Sequence, residues 1–287
     1  MTKFNVAWIQ GKSHGDFIKN LKYYSAKIRD AVKNKVKLVV VPELFLWDYF
    51  PITEDKKHFD TAIDIESDAI KHFQFLAKDL KIILILPIFE KRAEGIYHNS
   101  CLIIENTGQI LGNYRKMHIP DDPGFYEKYY FTPGDTGFIV TKTSIGKIGV
   151  LICWDQWFPE AARISALKGA DILIFPTSIG WDDNEPKSIY LEQVDAWTTM
   201  MRSHAIANGI HVIAVNRVGR EGHLVFWGHS FLANPYGKLV RQDKIDEAVS
   251  EVEIDLNKTK ECRRTWTFLR DRRIDNYQPI LKSWDGN

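Results

Sequence analysis

Cys153, Glu43 and Lys116 are the side chains of this sequence whose type and setting could support covalent chemistry. Cys153 stands in LICWDQWFPEAARISAL, where an apolar run gives way to Pro159 and a helical pattern. A thiol at such a strand-to-helix turn would be exposed and would face a positive helix N-terminus, which favours the thiolate. The other reading is a buried cysteine used as a small hydrophobe. Glu43 follows VVVP, and a carboxylate directly after a buried strand is either functional, paired in an ion bridge or the start of a helix. Lys116, in NYRKMHIPD, would by itself be an ordinary solvated cation. Beside a thiol and a carboxylate it could hold a developing oxyanion.

Competing chemistries lack their motifs. The sequence has no HExxH, no CxxC pair and no EF-hand loop, so nothing calls for a metal. It has no GxxxxGK[ST] and no GxGxxG, so no nucleotide is implied. Gly228-His229-Ser230 lacks the second glycine of a nucleophile elbow. His98 and His118 read as hydrogen-bonded structural histidines. The arginine- and aromatic-rich RRTWTFLRDRRIDNY could touch nucleic acid, but at a net charge of +1 a docking tail with buried Arg pairs, over about 258–287, is the expectation.

The elements that must carry these residues alternate. Apolar runs at 4–9, 37–41, 82–88, 100–104, 148–153, 171–175, 212–215 and 230–233 predict strands covered on both faces. Helical spacing predicts helices from Phe17 with a cap at Asp16, over 69–80, from Pro159 to near Gly169, and from about Ser188 to Asn208 with Gly209 closing it. VVVPELF, ILILPIF and ILIFPTS each place a proline where a strand would leave its sheet. If those ends form one rim, Glu43, Cys153 and the loop after Pro176 meet there.

The chain has 287 residues, 45% hydrophobic and 26% charged, and no linker or low-complexity tract divides it. That composition belongs to one folded α/β domain, 1–287, rather than to a disordered chain. The N-terminus lacks the features of a signal peptide, no segment has the apolar length of a membrane span, and the three cysteines are too few and too scattered for a disulfide framework. The cytoplasm is the expected compartment.

Taken together, VVVPELF, YRKMHIPD and GVLICWDQWFPEAAR resemble the three motifs of the nitrilase superfamily, the carbon–nitrogen hydrolases with a Glu-Lys-Cys triad. The resemblance spans essentially the whole chain and implies a single-domain four-layer α-β-β-α sandwich. Within the superfamily, PGFYEKYYFTPGDTGF, DQWFPEAAR and the tail FLRDRRIDNY look most like the branch of N-carbamoylputrescine amidases, while the loop at 181–193 departs from its pattern. The resemblance implies Cys153 as nucleophile, Glu43 as general base, Lys116 and the Trp154 N–H as oxyanion donors, and Glu127 as a second glutamate near the lysine. No cofactor is implied. The reaction would be hydrolysis of a carbamoylated diamine to the diamine, carbon dioxide and ammonia. A related amidohydrolase acting on N-carbamoyl-β-alanine or an ω-amide is the alternative, and a non-catalytic interaction protein the remote one. A substrate with a free amine needs a carboxylate partner. Asp121 and Asp122, and Asp182, Asp183 and Glu185, are the acids placed to supply one, the 182–185 group foremost. The resemblance also implies a homo-oligomer built from dimers, while the net charge of +1 and the lack of a long apolar segment lead to no expected nucleic-acid or membrane partner.

Overall fold

The structure, a computed structural model, describes residues 2–286. In chain order its strands are β1 Lys3–Gln10, β2 Val36–Val40, β3 Ile83–Ala93, β4 Ile96–Ile104, β5 Ile110–Arg115, β6 Val140–Thr143, β7 Gly146–Val150, β8 Ile172–Thr177, β9 Gly180–Asp182, β10 His211–Asn216, β11 Val218–Glu221, β12 Leu224–Trp227, β13 Phe231–Ala233, β14 Leu239–Gln242 and β15 Ala248–Asp255. The α-helices are α1 Phe17–Ala31, α2 Asp68–Leu80, α3 Pro159–Leu167, α4 Lys187–Asn208 and α5 Asn257–Thr265. The strands form two six-stranded sheets, ordered β15-β1-β2-β3-β4-β5 and β14-β13-β10-β8-β7-β6, and a small third sheet, β11-β12-β9.

Strand alternation explains the layers. Successive side chains of a strand point to opposite faces. On β1, Val6 and Trp8 join a cluster with Ile148, Val150, Ile172 and Ile174 of the second sheet. Ala7 and Ile9 join the other cluster, with Tyr24 and Ile28 of α1 and Ile70 and Phe73 of α2. The outer face of the second sheet is covered by Ala161 and Ala162 of α3 and by Trp197, Met201 and Ala205 of α4. The result is the four-layer α-β-β-α sandwich, and the runs without polar alternation are its two-sided strands.

The four predicted helices form nearly as expected. Asp16 caps α1, its side chain accepting the Lys19 N–H at 2.8 Å. Gly209 ends α4 at φ +55°, in the left-handed region that glycine tolerates. All eight predicted strands are present. β5, β6, β9, β11, β12, β14 and β15 are additional, and all of these but β12 are sheet edges. Edge strands carry polar and exposed residues that blur the apolar signal.

Two expectations need correction. Pro87 does not end its strand, because β3 continues to Ala93 with Pro87 opposite Cys101. Pairing of β3 with β2 stops at Ile85, and beyond it the Phe89 carbonyl and the Lys91 N–H face Ile63 on that same side. By the two-residue period, the missing N–H of Pro87 falls on this edge, where no strand asks for a donor. The Arg pairs of the tail are not buried in the single chain either. Arg270 and Arg273 are exposed and bridge Asp271 and Asp275, and only Arg263, on α5, reaches inward, to the carbonyls of Asn208 and Ala170. The tail beyond α5 is too short of partners within one chain to bury them.

Candidate active site

Four side chains converge from the ends of the two sheets. Glu43 lies in the turn after β2, and Lys116 one residue beyond β5. Glu127 opens a single turn of 3-10 helix, Glu127–Tyr129. From the second sheet, Cys153 opens another 3-10 segment, Cys153–Trp157, which runs into α3 at Pro159. Glu43, Lys116 and Glu127 are fully buried and Cys153 is 5% exposed. Lys116 Nζ sits 2.9 Å from Glu43 Oε1 and 2.6 Å from Glu127 Oε2. Asn99 Nδ2 donates to the same Glu43 oxygen at 2.7 Å, which leaves Glu43 Oε2 buried and without a hydrogen-bond partner. That second Glu43 oxygen is therefore free to accept a proton.

The turn at Cys153 is built to present sulfur. Cys153 has φ +41°, a left-handed conformation that a non-glycine residue adopts only when its surroundings impose it. Asp155 imposes it in part. Its Oδ2 accepts the Ile152 N–H at 2.9 Å and the Tyr114 hydroxyl at 2.7 Å, while Oδ1 accepts the His118 backbone N–H at 3.0 Å and faces His118 Nδ1 at 2.7 Å. Ser178, after β8, donates its hydroxyl to the Glu43 carbonyl at 3.0 Å, and its own carbonyl lies 3.8 Å from Cys153 Sγ. Glu43, Cys153 and the loop after Pro176 do meet.

The electrostatics differ from the expectation at the thiol. Cys153 is neither exposed nor biased toward thiolate. Burial, then the charge of Glu43, push its pKa well above the usual thiol value, and Lys116 offsets this only partly. Burial opposes the Lys116 ammonium, but Glu127 and Glu43 outweigh it and keep the lysine charged. Burial and then repulsion from Glu43 raise the Glu127 carboxyl, against the pull of Lys116. Cys153 rests as a neutral thiol beside a free Glu43 oxygen and a fixed cation. Such a set can perform acyl transfer: deprotonation on demand, sulfur attack, and charge held in a site shielded from water.

Above the sulfur lies a cavity of about 550 Å³. Cys153, Glu127 and Trp154 line its floor, and Trp157, Trp181 and Trp227 are among its walls. Of the predicted acids, Asp122, Asp182 and Glu185 line it, whereas Asp121 and Asp183 do not. Asp183 turns away to bridge Arg220 at 2.7 Å, because its own β9–α4 loop runs beside the β11–β12 hairpin. Sequence reasoning missed Tyr49, Asn99, Asp155, Ser178, Arg217 and Glu221. Arg217 carried a signal: it follows the apolar run HVIAVN as Glu43 follows VVVP.

Residues 5–264 match the carbon-nitrogen hydrolase family. The chain belongs to this family. As a carbon–nitrogen hydrolase it is an enzyme acting on non-peptide amides, and its fold is that of the nitrilases. It is 41% identical to an N-carbamoylputrescine amidase of Solanum lycopersicum, over 98% of this chain and 96% of that one. It is 39% identical to a citrullinase of Francisella tularensis, over 99% and 100%. A carbon-nitrogen hydrolase from Helicobacter pylori G27 superposes with a TM-score of 0.96 at 45% identity, covering 99% of this chain and 100% of that one.

Proposed function

We propose that this hydrolase cleaves N-carbamoylputrescine to putrescine, carbon dioxide and ammonia. The observation that carries the reading is the charge of the cavity. Asp122, Asp182 and Glu185 line it, with no Lys, Arg or His among its described lining residues. Asp182 is held below the usual carboxylate range, first by the Asn184 backbone N–H. Citrulline carries the same ureido group but adds a carboxylate, which would meet only acids here. A carbamoylated diamine ends in an ammonium, which suits both the acids and the tryptophan faces.

In this reading Glu43 Oε2 takes the Cys153 proton as sulfur attacks the ureido carbon. Two nitrogens donate into that carbon and make it a poor electrophile, so oxyanion support matters. Lys116 and the Trp154 N–H supply it, and one such donor is typically worth about 10²–10³ in rate. Glu43 returns its proton to the departing nitrogen as the carbon–nitrogen bond breaks, leaving a cysteine-bound carbonyl species. Water deprotonated by Glu43 then releases a carbamate, which decomposes to carbon dioxide and the remaining amine. Glu127 keeps the lysine aligned between the carboxylates.

The test compares kcat/KM for N-carbamoylputrescine, citrulline, N-carbamoyl-β-alanine and an uncharged carbamoyl butylamine. The cationic substrate should lead. Glu185→Gln or Asp122→Asn should cost it about 30-fold, roughly 2 kcal/mol, and leave the uncharged analogue nearly untouched. Citrulline or N-carbamoyl-β-alanine turned over faster than N-carbamoylputrescine overturns the diamine assignment.

A further inference from the structure

Arg217 lies between β10 and β11 and is 1% exposed. Its Nη2 donates to three carbonyls of the turn that bears Glu43: Leu44 at 2.8 Å, Trp47 at 3.0 Å and Glu43 itself at 3.3 Å. That turn needs holding, because Leu44 has φ +49°, which a leucine rarely adopts. Arg217 Nη1 donates to Glu221 Oε1 at 2.6 Å, and Glu221 Oε2 accepts the Tyr49 N–H at 2.5 Å. The Tyr49 hydroxyl donates to Glu127 Oε1 at 2.6 Å. The guanidinium also lies over the rings of Tyr49 and Phe226, at 5.9 and 5.5 Å.

One chain of contacts, buried except at the partly exposed Glu221, therefore runs from the β11–β12 hairpin, whose Leu224 and Trp227 wall the cavity, to both carboxylates that grip Lys116. Neither Arg217 nor Glu221 lines the cavity. Misplacing a reacting group by about 1 Å can cost 10²-fold in rate, so whatever fixes the Glu43 backbone fixes the aim of its carboxylate. We propose that Arg217, Glu221 and Tyr49 are positioning residues that set the aim of Glu43 and Glu127 on Cys153 and Lys116. The proposal rests on the base role given to Glu43 above.

The experiment uses the full-length enzyme with Tyr49→Phe, Glu221→Gln, Arg217→Lys and, as reference, Glu43→Gln. It reads kcat, KM, the melting temperature, and the rate at which iodoacetamide alkylates Cys153 across pH. The alkylation needs no substrate and reports proton removal from the thiol. Tyr49→Phe keeps the ring and removes one donor from Glu127, so it folds even if Arg217→Lys does not. Losing a hydrogen bond to a charged group should lower kcat roughly tenfold in Tyr49→Phe. KM should stay within about twofold, and alkylation should slow in parallel in Glu221→Gln. The groups facing Glu127 are Lys116, Glu43, Tyr49 and the neutral Cys153 thiol. Without the tyrosine donor Glu127 ionises less readily, so the acid limb of kcat moves to higher pH. Variants that only melt lower, with wild-type kcat, alkylation rate and pH limb, overturn the positioning role. If Glu43→Gln itself keeps turnover and alkylation, the base assignment fails and the positioning role falls with it. If Glu43→Gln silences both while the other variants stay at wild-type levels, only the positioning role fails.

Discussion

The proposed mechanism asks Cys153 to react without having been made acidic. Its thiol is buried, its pKa is raised by that burial and by Glu43, and its backbone is held left-handed. In that mechanism its reactivity comes from Glu43 at the moment of attack. Cys153→Ala is therefore expected to abolish turnover with an unchanged melting temperature. Peptide mapping after iodoacetamide should find Cys153 modified before Cys101 and Cys262, since Cys153 alone of the three lines the cavity. Turnover surviving in Cys153→Ala would sink the covalent mechanism.

At the scale of elements, the cavity wall depends on how closely β9 can approach β12. Gly180 pairs with Phe226, and a Cβ placed on it would come within 2.3 Å of the Val225 carbonyl oxygen. That neighbour is backbone and cannot step aside. Gly180→Ala is expected to push β9 away from β12, at about 1–3 kcal/mol in stability. The displaced strand carries Trp181 and Asp182, so KM should rise at least as markedly as kcat falls. Steady-state kinetics and a urea melt check both, and a variant with wild-type KM would show that β9 does not shape the site. The α5 helix is tied on differently: His211, at the start of β10, bonds Thr259 of α5 at 3.1 Å. Burial pushes the His211 pKa down to about 4, against about 6.5 in an unfolded chain. The folded chain then refuses a proton that the unfolded chain accepts, so this contribution is whole above pH 6.5. It drains away as the pH falls toward 4, by about 3 kcal/mol in all. His211→Gln should show a shallower loss of stability over that window than the wild type. Equal slopes would remove His211 from the account.

For the whole molecule, the chain leaves a row of large apolar side chains uncovered near its end. Trp266, Phe268, Ile274, Ile280, Leu281 and Trp284 are all exposed, the last two by 80%. Large apolar side chains exposed in such number along one segment are used at interfaces. A second copy is the expected partner of the tail, in line with the assembly expected of the family. Light scattering on the eluting protein should give a mass at least twice 33.2 kDa, and Trp284→Ser with Leu281→Ser should lower it. A wild-type protein that elutes as a 33.2 kDa species would overturn the expectation.

The sequence alone determined four of the five α-helices, all but α5, and the central strands of the two six-stranded sheets, because these elements are coded by local period and by caps such as Asp16 and Gly209. It also singled out Glu43 and Cys153 as candidates, since a charge following an apolar strand and a cysteine before Pro159 are local patterns, whereas Lys116 and Glu127 stood out only through the resemblance to the family motifs. Tertiary structure decided what no local pattern holds. The edge strands β14 and β15 exist because β13 and β1 offer them a ladder, not because their own residues demand it. Lys116 reads as a solvated cation until two glutamates, 73 residues before it and 11 after it, enclose it. Asp183 and Glu185 stand two residues apart in one loop, yet one lines the cavity and the other bridges Arg220. The state of the thiol was likewise decided in three dimensions. A helix start nearby suggests a thiolate, but burial and the approach of Glu43 across the sandwich reverse the sign, because desolvation and charge act through space rather than along the chain.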